Sequence, residues 1–395
     1  MSPPLRISLA GFVAAALAVA GWALSQGGAD GRTLSFALLA GAAFGIVLQR
    51  ARFCFYCNLR DLVERREPAG VLAILVALAI GAIGYVAIFG AWVPTPQPGR
   101  LPPTAHVGPV SLLLGGASFV FGLGMAISGS CLSAHFYRLG EGSPVAPFAI
   151  VGAALGFGIG FFTWNDLYFA LVSDAPSIWL PHALGYAGSL VLTLGGVALL
   201  ALLTLWWARP QATSAAAPLT LRGVADNIFV RRWPATFAGL AVGIISTLYY
   251  FRVAPLGVTA ELGSLARTAA ADLSVLPATL HGLDVLRGCA TVVKEALLSN
   301  NGLFVIGLIA ASFASALLAN QFTPRLPNLR DVARGLAGGL LLGWGAMTAL
   351  GCTVGVLLSG IHAGALSGWV FLVACTAGAV LAMPLGRRLQ GWSAG

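Results

Sequence analysis

Charge is scarce in this chain of 395 residues: 9% are Asp, Glu, Lys or Arg, while 58% are hydrophobic. A water-soluble protein of that length needs about a quarter of its residues charged to coat its surface, so a soluble fold is excluded and most of the surface must face lipid. Lysine is nearly absent, with Lys294 the sole example, and 13 acidic residues stand against 22 basic ones for a net charge of +9. In a membrane protein an arginine excess of this kind first marks cytoplasmic loops, and no nucleic-acid partner is needed to explain it. The sequence also lacks a GxxxxGK[ST] phosphate loop, which argues against drive by ATP. It has neither twinned CxxC motifs nor a His-rich ligand set, so no metal and no cofactor are expected. No catalytic set is read, and the expectation is a protein that is not an enzyme.

What is abundant fits that exclusion. Long Leu, Ala and Val runs with 51 Gly and 21 Pro suit closely packed and broken helices rather than alternating barrel strands. The six cysteines, Cys54, Cys57, Cys131, Cys289, Cys352 and Cys375, lie largely within apolar segments, which argues against a disulfide framework. Cys375 in plain apolar sequence and Cys289 in a loop-like stretch read as structural residues.

Given roughly 20 residues per crossing, apolar stretches long enough to span fall near 6–25, 34–49, 69–92, 109–128, 146–165 and 183–207, then 235–251, 301–321, 334–350 and 366–385. That makes an all-α polytopic membrane protein with about ten transmembrane helices. The first run has no convincing small-residue cleavage site leading into a soluble domain and is read as a helix rather than a leader. If the spans alternate, Arg50, Arg52, Arg60, Arg65, Arg66, Arg209, Arg222, Arg231, Arg232, Arg325, Arg330, Arg334, Arg387 and Arg388 share one side. The positive-inside rule makes that side cytoplasmic and places both termini there, in a bacterial inner membrane.

The polar, low-complexity run at 208–233 reads as a linker between halves at 34–207 and 234–395, with residues 1–33 an additional first helix. The halves resemble each other. GLGMAISGSC from Gly122 to Cys131 and GWGAMTALGC from Gly343 to Cys352 share one glycine-to-cysteine interval, and AGAAFGIVLQRARF (40–53) pairs more faintly with AGLAVGIISTLYYF (238–251). The span count turns the second copy upside down, giving an inverted repeat about a pseudo-two-fold axis. Transporters use that architecture to build a site at the midplane.

Three segments interrupt the apolar pattern, 47–62, 122–142 and 343–360, each with a cysteine at the interruption. A fourth, PLGVTAELGSLART (255–268), has the break without the cysteine. Breaks near Ser128 to Ser130 or Gly351 free backbone groups that hydrocarbon cannot satisfy, so they should line a polar cavity. Short re-entrant half-helices starting after Cys131 and Cys352 would point free N–H groups at that cavity, a setting suited to an anion.

These pieces resemble the YeeE/YedE family of sulfur-compound permeases over about residues 35–385: RFCF at Arg52 to Phe55 with LRDL ending at Leu62, YRLGEG at Tyr137 to Gly142, GCTVG at 351–355, SGI, and SGW at Ser367 to Trp369. The resemblance implies nine core spans with short half-helices, narrowed at the middle, and functional thiols at Cys54, Cys131 and Cys352. It implies passage of a small inorganic sulfur anion, thiosulfate foremost, handed along by neutral S–H donors, weak enough to let go. Arg52 and Arg138 would draw the anion at the cytoplasmic mouth, or else Arg52, Arg60 and Arg138 simply anchor helices and pair with Asp61, Glu64 and Glu141. Arg252, Arg267 and Lys294 are weaker candidates for the outer face. A cytoplasmic sulfur carrier or sulfurtransferase is the expected protein partner. The extra first helix, Cys57, and His135 depart from the family pattern, and His135 reads as a hydrogen-bonded structural histidine. Two other readings stay open: a membrane thiol oxidoreductase or sulfurtransferase using the Cys54/Cys57 CxxC pair, and a selenium-compound permease.

Overall fold

A computed structural model describes residues 2–97, 100–208, 229–273, 276–277, 279–283, 292–294 and 298–390. Arg209, Arg222 and Cys289, most of the 208–233 linker, Pro98 with Gly99, and residues 391–395 lie outside the described residues. Among the described residues the regular elements are helical, with one isolated bridge between Trp179 and Ala365. In chain order they are α1 (Pro3–Ser25), α2 (Gly28–Ala51), α3 (Phe55–Arg65), α4 (Ala69–Trp92), α5 (Leu112–Ser128), α6 (Leu132–Gly140), α7 (Ala146–Leu171) and α8 (Leu180–Trp207). Then come α9 (Ala235–Arg252), α10 (Val258–Asp272), α11 (Asn300–Leu318), α12 (Leu329–Thr348), a π-helix (Thr353–Ser359), α13 (Gly360–His362) and α14 (Leu366–Gln390).

Nine helices among the described residues are long and apolar enough to cross a bilayer, and ten if α12 and the segment Thr353–His362, bent by 43°, count as one span. Those ten coincide with the ten apolar runs of the sequence. Four short elements, α3, α6, α10 and the π-helix with α13, follow breaks; α6 and the π-helix with α13 are almost wholly buried, whereas α3 and α10 are buried only in part.

Glycine decides where the long helices touch. A Cβ at Gly41 of α2 would lie 2.0 Å from the Phe304 carbonyl of α11, and one at Gly239 of α9 would lie 2.1 Å from the Ala73 carbonyl of α4. Likewise a Cβ at Gly343 of α12 would lie 1.9 Å from the Ala153 carbonyl of α7, and one at Gly122 of α5 would lie 2.3 Å from the Cys375 carbonyl of α14. Only a residue without a side chain permits such backbone approach, the means by which membrane helices gain packing contact. Each of these crossings joins a helix before the 208–233 stretch to one after it: α2 to α11, α4 to α9, α7 to α12 and α5 to α14.

Helix α1 stands apart from this scheme. It leans on α2 and α11, buries only Ala10 and Gly21, and is pinned where the Ser35 hydroxyl donates to the Gly21 carbonyl at 2.6 Å. On the face away from the arginines, α13 is fixed by His362. Its Nε2 donates to the Ala77 carbonyl at 3.1 Å, leaving Nδ1 to accept the Ser246 hydroxyl at 3.2 Å.

Candidate functional site

The chain breaks create the site. Helix α2 stops because Arg52 turns left-handed at φ 51°, and two residues later Cys54, in extended conformation, occupies the N-cap of α3. Helix α5 stops at Gly129 with φ 87°, a conformation natural to glycine, and Cys131 becomes the N-cap of α6. Helix α12 stops at Leu350 and Gly351, both at positive φ, and Cys352 becomes the N-cap of the π-helix. Each expected thiol therefore stands where a helix restarts, with Cys54, Cys131 and Cys352 all at 2% exposure or less. None faces the lipid.

Two of the three meet. The Cys54 thiol donates to Cys131 Sγ at 3.6 Å, and Cys131 Sγ lies 3.4 Å from the Ser133 hydroxyl. Cys352 stands apart from this pair, its Sγ accepting the Val354 N–H at 3.4 Å. Between them lies a cavity of about 30 Å³, with Cys131 and Ser133 on one wall and Thr353 and Val354 of the π-helix on the other. Phe44, Phe53 and Phe55 close it with apolar surface. A second cavity of about 10 Å³ lies beyond the π-helix, on the face away from the arginines, lined by His106, Ser367, Thr348 and Val356 among others. Each has room for about one water, so an anion passes only if the half-helices or the phenylalanines shift.

The sequence reading left Cys57 out of the site, and the structure brings it in. Cys57 lies three residues after Cys54 on α3, and that spacing puts both on one helical face. Its thiol donates to the Gly129 carbonyl at 3.9 Å, a group freed by the α5 break, and its sulfur accepts Arg138 Nη2 at 3.2 Å. Cys131, Cys54, Cys57 and Arg138 thus form one chain of contacts toward the arginine-rich face. Arg52, by contrast, is exposed and touches none of these thiols among the described contacts.

The flanking charges divide differently from expectation. Arg60 pairs with Asp61 at 2.9 Å, whereas Glu64 pairs with Arg387 at 3.4 Å. The Glu141 carboxylate accepts Gln49 Nε2 at 3.2 Å, and burial raises its pKa above the usual carboxylate value. Lys294 is not free to meet an anion at the outer face, because it is buried in an ion pair with Glu261, whose other oxygen accepts the Ser299 hydroxyl at 2.7 Å. Arg252 lies over the Phe36 ring at 5.8 Å. His135 overturns the reading of a hydrogen-bonded histidine: it is 1% exposed and neither ring nitrogen has a hydrogen-bond partner. Burial holds the outer His106 neutral, its pKa pushed down to about 4.

Membrane-spanning helices, with cysteines where three broken helices restart, define an integral membrane protein. The chain belongs to the sulphur transport family, whose model matches residues 50–381. It is 27% identical over 355 residues to the thiosulfate transporter TsuA of Escherichia coli K12, covering 85% of this chain and 90% of that protein. It is 29% identical over 353 residues to the thiosulfate transporter TsuA of Spirochaeta thermophila, covering 84% and 93%. The probable transporter YedE of Escherichia coli K12 matches 173 residues at 30% identity, covering 44% of this chain and 40% of that protein.

Proposed function

We propose that this protein carries thiosulfate across a bacterial inner membrane into the cytoplasm. The observation that carries the reading is the 3.6 Å contact between Cys54 and Cys131, two thiols at the N-caps of separate half-helices, with Cys131 lining the small cavity that faces the π-helix. A neutral S–H is a weak donor. It offers the terminal sulfur and oxygens of thiosulfate enough attraction to enter, without the grip of a buried lysine that would hold a dianion in place. Cys352 receives the anion from the outer side, Cys131 and Cys54 take it at the middle, and Arg138 gives it a cation at the inner end. Arg52 contributes only to the positive potential of the inner mouth. The N–H groups at the start of α6 add partial positive charge next to Cys131.

Within this reading the two halves are inverted repeats, 34–207 and 234–395, joined by the 208–233 linker. Both termini lie in the cytoplasm on the arginine-rich side, and a cytoplasmic sulfur carrier or sulfurtransferase consumes the delivered anion. The test is growth on thiosulfate of a bacterium stripped of its own thiosulfate uptake. This chain should restore growth, and Cys131→Ala or Cys352→Ala should abolish the rescue at unchanged expression. Normal rescue by both variants removes the thiol relay, and absence of rescue by the wild-type chain removes the function.

A further inference from the structure

Helix α1 leaves a groove against α2 and α11 with a cavity volume of about 490 Å³. Alanines open it: Ala10, Ala14 and Ala18 recur every fourth residue on α1, facing Ala42 on α2 and Ala311 and Ala314 on α11. Along α2 its wall runs through Leu39, Ala42, Ile46 and Arg50, one helical face. That stripe is about 16 Å long at 1.5 Å per residue, close to half of a hydrocarbon core of about 30 Å. The groove therefore has the length of one leaflet, with its charged end on the arginine-rich face.

Nothing among the described residues neutralises the charged end. Arg50 is 2% exposed, and among the described residues its Nη2 donates to the Arg231 carbonyl while Nε and Nη1 meet no acceptor. No described carboxylate pairs with it. Exposed Arg231 and Arg232 lie alongside, adding positive charge rather than compensating it. A guanidinium buried in an apolar wall without an anion is costly. Trp233 lines the same end, the type of ring that sits at head-group level.

We propose that this groove binds one acyl chain of an anionic phospholipid, with the head-group phosphate on the Arg50 guanidinium. The tail fills the space the alanines leave, and the phosphate accepts the two N–H groups that protein does not satisfy. A second, wider groove on the other side of α1 is lined by apolar residues such as Phe12, Leu24 and Ile306, with no charge to select a head group. Only the α1 wall of the groove lies before the matched residues 50–381, and the inference stands whatever the protein carries.

The test uses the full chain, purified in mild detergent with equal phosphatidylglycerol and phosphatidylethanolamine and examined by native mass spectrometry. Wild type should retain phosphatidylglycerol about tenfold more than phosphatidylethanolamine, because both offer the phosphate but the ethanolamine ammonium is repelled by Arg50, Arg231 and Arg232. Arg50→Gln should lose that preference. Ala14→Phe, at an exposed position of α1 where folding is not at stake, should expel the lipid by filling the groove with a ring. Equal retention of the two lipids by wild type overturns the proposal, whether the groove is empty or filled by residues 209–228 of the chain itself. Undiminished phosphatidylglycerol retention in both variants overturns it as well.

Discussion

Arg138 holds a cation beside the thiols, and what it leans on decides whether it can serve an anion. A guanidinium held in a carboxylate ion pair would be spent, but the described hydrogen bond here runs to Cys57 Sγ at 3.2 Å, a weaker acceptor than a carboxylate. Arg138→Gln removes a charge-assisted hydrogen bond worth about 1.5–3 kcal/mol, so uptake of labelled thiosulfate at low concentration should fall by roughly 10- to 100-fold. Cys57→Ser keeps a small acceptor in place and should leave uptake within about threefold of wild type, a difference below 1 kcal/mol. Complete loss in Cys57→Ser would instead favour thiol redox chemistry at the CxxC pair. The three main thiols were legible in the sequence because each stands at a glycine- or arginine-marked interruption of an apolar run. The link from Cys57 to Arg138 was not, since it depends on α3 and α6 lying side by side, although the three-residue spacing from Cys54 was a usable signal. Nor was the fate of Lys294, whose partner Glu261 is 33 residues away in sequence.

At the scale of elements, the repeated glycines act as contact points between helices. An alanine at Gly343 would force α12 away from the Ala153 carbonyl, and one at Gly122 would do the same to α5 and α14. Each substitution should lower stability by about 1–3 kcal/mol, the usual cost of overpacking, seen as a lower melting temperature in detergent. Gly116→Ala on α5, where a Cβ meets nothing within 4 Å, should leave the melting temperature unchanged. Equal effects at Gly343 and Gly116 would refute this assignment. The shared interval from Gly122 to Cys131 and from Gly343 to Cys352 marks, in the sequence, two glycines that both stand at close crossings the same distance before a break. The partners across each crossing, α7 and α14, carry no such mark, so which helix each glycine meets emerges only from the fold.

For the whole molecule, the arginine distribution sets a direction that can be measured. A fluorescent protein that matures only in the cytoplasm should glow when fused after Gly395, and alkaline phosphatase inserted beside Thr104 should be active outside. The reverse pattern would invert the assigned orientation. Span number could be read early because hydropathy is a summed property. The two cavities could not, being set by side chains remote in sequence, such as His106 against Ser367. Those cavities, of about 10 and 30 Å³, lie on either side of the π-helix, with Val356 lining one and Val354 the other. The valines of the π-helix part them, so a hydrated sodium ion would have to shed its shell against apolar side chains. Cells that keep many copies should therefore hold their membrane voltage, which a voltage-sensitive dye would report.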